Sequence, residues 1–216
     1  MRFKKIVSNF MSSSLLMVAS LGVYASSDAA VDLAAALASV DTMTGSFEQR
    51  ISDAKGEAVQ VSEGQFKIKR PGQFFWHVAP PYEQVVVGTT TGLKVYDPDL
   101  EQMTVHGQDA LAGTPAALIS GDGTKIAEHY LVTKTQDKKN IRFELKQKEG
   151  GNGAFASLHL IFASKNKQQH LVQMIFVDKL DQRTEVTLSK VKINPAIADA
   201  DFRFDPPKDT DIIIDG

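Results

Sequence analysis

The chain has no cysteine among its 216 residues. That absence excludes a disulfide framework, thiolate chemistry, most zinc-site arrangements and attachment of a lipid through cysteine. Histidine is nearly as sparse. His77, His106, His129, His159 and His170 stand apart, none with a second histidine at metal-ligand spacing. No Gly-x-Ser-x-Gly occurs, so the sequence offers no exposed nucleophile elbow. Long apolar runs are missing except near the N terminus. There the basic start MRFKK leads into a largely apolar stretch from Ile6 to Val23 and a small-x-Ala site ending at Ala25. This is the secretory pattern. Polar residues at Ser8, Asn9 and Ser12 to Ser14 interrupt the ~20 apolar residues that a membrane span needs. The expected organisation is a secretory signal over 1–25 followed by one domain over 26–216, with about 190 residues available to bury a core.

Excess charge of either sign is also in short supply. The chain carries 24 basic and 26 acidic residues; without Arg2, Lys4 and Lys5 of the signal, 21 bases face 26 acids, a net charge of −5. No basic face or stripe emerges, so no nucleic-acid partner is expected. No cofactor is expected either.

What the sequence does have is alternation. From Ser46 onward the apolar period is two, in paired runs separated by Gly, Asn or Asp turns. Phe47, Gln49 and Ile51 begin the series. Phe66, Ile68 and Arg70 share a face of one strand, and Phe74, Trp76 and Val78 share a face of the next. Further strands are predicted up to Arg183–Asn194, where apolar residues shift from even to odd positions and imply a bulge near Ser189. A last short strand is expected at Phe202 and Phe204. Two short helices interrupt the meander. Asp28–Val40 has Asp28 as its cap and a stripe of Val31, Leu33, Leu37 and Val40. The second begins at Thr114 as N-cap with Pro115 at the first helical position and stops at Gly121. About ten antiparallel strands with two weak helices predict a mainly β fold, a strongly curved sheet or incomplete barrel with helices on its open side; a closed barrel or a sandwich competes.

No catalytic constellation is visible. DPDLE, Asp97 to Glu101, looks like a calcium loop but lacks the glycine at its sixth place and the acid at its twelfth, so a tight turn is expected. Asp97, Asp99 and His106 are the members an enzymatic site would most readily recruit. The phenylalanine-rich strands instead favour binding of something apolar. Arg70 stands out because it shares parity with Phe66 and Ile68 just where Pro71 ends pairing. Either it lies at the mouth of an apolar cavity, bonded to free carbonyls at helix ends, or it snorkels from an edge strand into solvent.

Several blocks stand in one order: RPGQFFW (70–76), Pro81 and Gln84, VYDPDLEQMT (95–104), GTPAALI (113–119), FVDKLDQRTEV (176–186) and FRFDPPKDTDII (202–213). Together they resemble the periplasmic outer-membrane lipoprotein carrier family LolA over essentially the whole chain after the signal. The resemblance implies an unclosed antiparallel β-barrel with a helical lid over an apolar cavity, and a carrier without catalytic activity, acting as a monomer in the periplasm. Its implied partners are acylated lipoproteins as cargo, an inner-membrane ABC transporter as donor and an outer-membrane receptor as acceptor. It also implies that Arg70 latches the lid through backbone groups around Leu37 and Ile119, and that Phe66, Ile68, Phe74 and Trp76 belong to the acyl-chain cavity. Many relatives carry an Asp-Gly turn and a Trp where this chain has Thr89 to Gly92 and Lys94. The competing function is a periplasmic lipid- or lipoprotein-sensing module of similar fold.

Overall fold

Strict alternation marks strands with one buried face, and the computed structural model shows what covers it. It describes residues 26–111, 114–149, 155–165 and 168–215; the expected signal, 1–25, lies outside them. Helix α1 (Ser26–Ala38) is followed by the meander β1 (Thr42–Ser52), β2 (Ala58–Lys69), β3 (Gln73–Val78), β4 (Gln84–Thr89), β5 (Gly92–Asp97) and β6 (Gln102–His106). Two short helices, α2 (Pro115–Ser120) and α3 (Ile126–His129), lead into β7 (Tyr130–Gln136), β8 (Asn140–Gln147), β9 (Phe155–Lys165), β10 (Gln168–Asp178) and β11 (Arg183–Ile193); β12 (Asp211–Asp215) comes last. All twelve form one sheet in the order β12-β6-β5-β4-β3-β2-β1-β11-β10-β9-β8-β7. The β1–β11 pairing fuses the two meanders, while β7 and β12 remain edges, so the barrel is unclosed.

Register explains the two faces. Phe66 pairs with Trp76 and Ile68 with Phe74, so the apolar sets of β2 and β3 share one face. That inner face carries the main core, which also takes in Leu33, Leu37 and Ile119 from the helices. Bulky rings there need missing Cβ atoms opposite. A Cβ on Gly88, which pairs with Phe74, would stand 2.1 Å from that ring, and one on Gly64 would stand 2.4 Å from Phe47.

Four expectations are modified. Asp28 lies within the first turn of α1 instead of capping it, where its charge still favours the positive helix end. The buried stripe is Ala29, Ala30, Leu33 and Leu37, whereas Val31 is 68% exposed because it falls on the opposite side of the helical wheel from those positions. Phe202 and Phe204 form no strand. Asp199–Phe202 is a 3₁₀ turn on the outer face of β2 and β3, held by Lys67–Asp201 (2.5 Å) and Lys69–Asp199 (2.6 Å), with Phe202 buried and Phe204 against Tyr96. The final strand is β12, which pairs in parallel with β6 and which no alternation announced. The bulge near Ser189 is present: partners step from Thr44–Lys192 to Ser46–Ser189, and Lys190 takes φ 52°.

Candidate functional site

Helix α2 forms as its sequence dictates. The Thr114 hydroxyl accepts the Ala117 N–H at 3.1 Å, Pro115 opens the helix, and the Gly121 N–H closes it on the Ala117 carbonyl at 2.7 Å. Six residues cannot hold a helix alone, so tertiary contacts decide where it sits. Beneath its first turn lies a cavity of about 170 Å³. From the sheet, Phe74, Trp76, Val86, Met174, Phe176 and Val186 line it together with Gln49; Thr114, Pro115 and Ala116 close it from the helix side. Trp76 is fixed by stacking on Phe47 at 3.9 Å between centroids and on Phe66 at 5.8 Å. A larger hollow of about 550 Å³ on the outer face is lined by polar side chains such as Glu48, Glu63, Gln65 and His77. It lacks the apolar wall of the smaller cavity, which is the better candidate for an apolar ligand despite its size.

The turn after β2 ties both helices to the sheet. The Arg70 N–H donates to the Asp41 carbonyl, just beyond α1, at 2.8 Å. Its guanidinium Nη1 donates to the Ile119 carbonyl at 2.9 Å, and the Gly72 N–H donates to the Ser120 carbonyl at 2.7 Å. Ile119 and Ser120 are in the last turn of α2, where carbonyls lack intrahelical donors. Partial burial pushes the Arg70 pKa down, opposed by the carboxylates of Asp122 and Asp41; an arginine stays protonated all the same. The Leu37 carbonyl accepts the Val40 N–H at 3.1 Å as α1 tightens at its end, and the guanidinium's bond goes to Ile119. Leu37 meets the rest through its side chain. With Ile68 and Ile119 it lines a void of about 20 Å³ at the seam between α1, α2 and the sheet.

Of the cavity residues named from sequence, Phe74 and Trp76 line the cavity under α2, Phe66 stands behind Trp76, and Ile68 lies at the seam. Met174, Phe176, Val186 and Gln49 were not singled out. Gln49 shares parity with Phe47, and that alone could have marked it. Asp97, Asp99 and His106 are not brought together: Asp97 pairs with Gln102 and His106 with Leu93, at opposite ends of the β5–β6 hairpin. Asp97 caps its turn by accepting the Leu100 N–H, and His106 meets Asp215 at 3.0 Å. Lys94 pairs with Val87, one place out of step with the inner-face residues Leu93 and Val95, and so faces away from the cavity.

An apolar cavity under a short helix, in an unclosed sheet, agrees with what sequence comparison finds. The pattern of the family described as outer membrane lipoprotein carrier protein LolA matches residues 38–205. The chain belongs to this family. Relatives named outer-membrane lipoprotein carrier protein include one from Pseudomonas entomophila, 38% identical over 80% of this chain and 81% of its own length. One from Pseudomonas aeruginosa strain UCBPP-PA14 is 35% identical over 97% of this chain and 99% of its own. Among solved structures, a DUF1329 family protein from Desulfovibrio piger superposes with a TM-score of 0.51 at 11% identity, covering 83% of this chain and 98% of that one. That likeness speaks for the fold alone. No helix among the described residues is long and apolar enough to cross a membrane.

Proposed function

We propose that this LolA-family chain is a periplasmic carrier. It accepts acylated lipoproteins from an inner-membrane ABC transporter, shields their acyl chains against the inner face of the sheet, and delivers them to an outer-membrane receptor as a monomer, without chemistry of its own. The observation that carries this reading is the apolar cavity roofed by α2, whose last turn is fastened by Arg70. Its physical need is plain: at about 0.8 kcal/mol per buried methylene, one chain of roughly fifteen carbons exposed to water costs on the order of 12 kcal/mol.

The site as it stands is too small for such a load. About 170 Å³ falls short of the roughly 300–1,000 Å³ typical of ligand sites, so cargo entry must displace α2. Arg70 then acts as a latch. Cargo breaks its bond to Ile119, and the energy of that lost contact lowers net affinity for cargo, so that release remains feasible. Phe74 and Trp76 line the space that opens, while Phe66 and Ile68 support it from behind.

Incubation with inner-membrane vesicles that bear the transporter and labelled lipoproteins tests the proposal. The carrier should bring cargo into solution as one-to-one complexes, and Arg70→Leu should fold, take up cargo and hand it on poorly. Normal delivery by Arg70→Leu would sink the latch; absence of soluble complexes with the wild-type protein would sink the carrier reading and favour a sensing module.

A further inference from the structure

The cavity under α2 is apolar except for two side chains. Of its two polar side chains, Thr114 is occupied: its hydroxyl donates to the Leu111 carbonyl at 3.2 Å and accepts from Ala117. The Gln49 carboxamide makes no hydrogen bond among the described residues, although the side chain lines the same cavity. Directly opposite Gln49 in the β1–β2 pairing stands Ser62, on the same face of the sheet. Ser62 is only 5% exposed, and its hydroxyl is buried without a partner. On the other side Gln49 pairs with Val186, and Val186 with Met174. One row across the sheet therefore reads Met174, Val186, Gln49, Ser62: two apolar cavity residues followed by two idle polar groups.

Buried polar groups are ordinarily bonded, and leaving one unbonded is unfavourable. A pure hydrocarbon ligand would leave both groups idle and would shield Gln49 from water as well. An acyl ligand differs from a hydrocarbon at one point, the carbonyl that links the chain to its headgroup. That oxygen has two lone pairs, and the carboxamide N–H of Gln49 and the hydroxyl of Ser62 are both donors. We propose that Gln49, at the cavity wall, and Ser62, buried beside it just outside that wall, form a polar subsite that binds the ester carbonyl of an acyl chain once cargo opens the site, and so registers the chain's head end beside Met174 and Val186. The inference rests on the carrier reading above and names a specificity determinant within it. Diacyl phospholipids carry the same ester, and the chain lengths suit either source; the cargo assigned here is the diacylglyceryl group of a lipoprotein.

Trp76, the only tryptophan of the chain and a cavity residue, reports binding through its own fluorescence. Titrations would compare a synthetic dipalmitoyl-ester lipopeptide with its dialkyl-ether analogue, which keeps the chains and lacks the carbonyls, and with dipalmitoyl phosphatidylglycerol beside its ether analogue. The wild-type protein should bind the ester lipopeptide about five-fold tighter than the ether, the size of one net hydrogen bond. Ser62→Ala should bind the ether as the wild type does, Gln49→Met should bind it more tightly because no unbonded amide is then shielded from water, and both should lose the preference; retained ether binding also shows that each variant is folded. No ester preference in the wild type, a preference kept by both variants, or an equal loss for ester and ether would overturn the subsite. A preference seen with the phospholipid and not with the lipopeptide would overturn the lipoprotein assignment. Failure of the wild type to bind either lipopeptide would remove the carrier reading, and this inference with it.

Discussion

Helices α1 and α2 cover the same face of the same sheet, but they are fastened by different means. Thirteen-residue α1 buries Ala29, Ala30, Leu33 and Leu37, packs beside the edge strand β7, and adds an Asp32–Lys134 ion pair at 2.5 Å. Six-residue α2 stands over a cavity, adds only Ile119 to the buried apolar core, and is held at that end by two hydrogen bonds, from Arg70 to Ile119 and from Gly72 to Ser120. Apolar burial is lost only when a whole surface separates, whereas two hydrogen bonds can be exchanged one at a time. In the carrier proposed here, this difference makes α1 the fixed wall of the site and α2 its movable one.

The comparison can be broken most directly at α1. Leu33→Ala removes a fully buried side chain and should destabilise the protein by about 2–5 kcal/mol, read from the urea midpoint. A loss no larger than that of a surface substitution would show that α1 is not the anchored element. At α2 the expected effect is smaller. Thr114→Ala deletes the cap on Ala117 and should cost about 1 kcal/mol; amide exchange should quicken in 115–120 and stay unchanged in 26–38. Equal quickening in both helices would mean that they move as one lid.

The smallest effect concerns acid. Asp122, just after α2, accepts from the Thr124 hydroxyl at 2.6 Å and the Thr124 N–H at 3.0 Å and lies near Lys125 and Arg70. These contacts hold its carboxyl below the usual carboxylate range. A folded pKa below the unfolded one gives a contribution that is complete above about pH 4 and fades as the pH falls through the lowered native value. Between about pH 6 and pH 3, amide exchange corrected for its intrinsic pH dependence should therefore rise around 119–125 relative to α1. Asp122→Asn should flatten that rise, and an unchanged slope in the variant would remove Asp122 from the fastening of α2.

Much of this architecture was legible because alternation is a local property. Phe66 and Ile68, or Phe74 and Trp76, declare a buried strand face without reference to any partner. The α2 boundaries were equally legible, since Thr114, Pro115 and Gly121 each act through the backbone of their own few residues. The placement of Phe202 and Phe204 failed for the opposite reason. Two phenylalanines two residues apart suit a strand, but Lys67, Lys69 and Tyr96 seat them as a clamp on the outer face. Strand β12 escaped notice because DIIID pairs along an edge with all five residues exposed, which leaves no alternating signature. Gln49 and Ser62 were invisible as a pair: twelve residues of sequence separate them, and only the β1–β2 register sets them opposite each other.

The sequence by itself determined the faces of the alternating strands, the caps of α2 and the blocks that place the chain in its family, because each depends on residues adjacent in the chain. The tertiary structure alone decided which carbonyl receives Arg70. By parity the guanidinium had two outcomes, cavity mouth or solvent. The choice depends on where α2, 49 residues further along the chain, presents the unbonded carbonyl of Ile119. A helix too short to stand alone can be positioned only by the sheet it covers, and so the partner of the arginine could be read only from the fold.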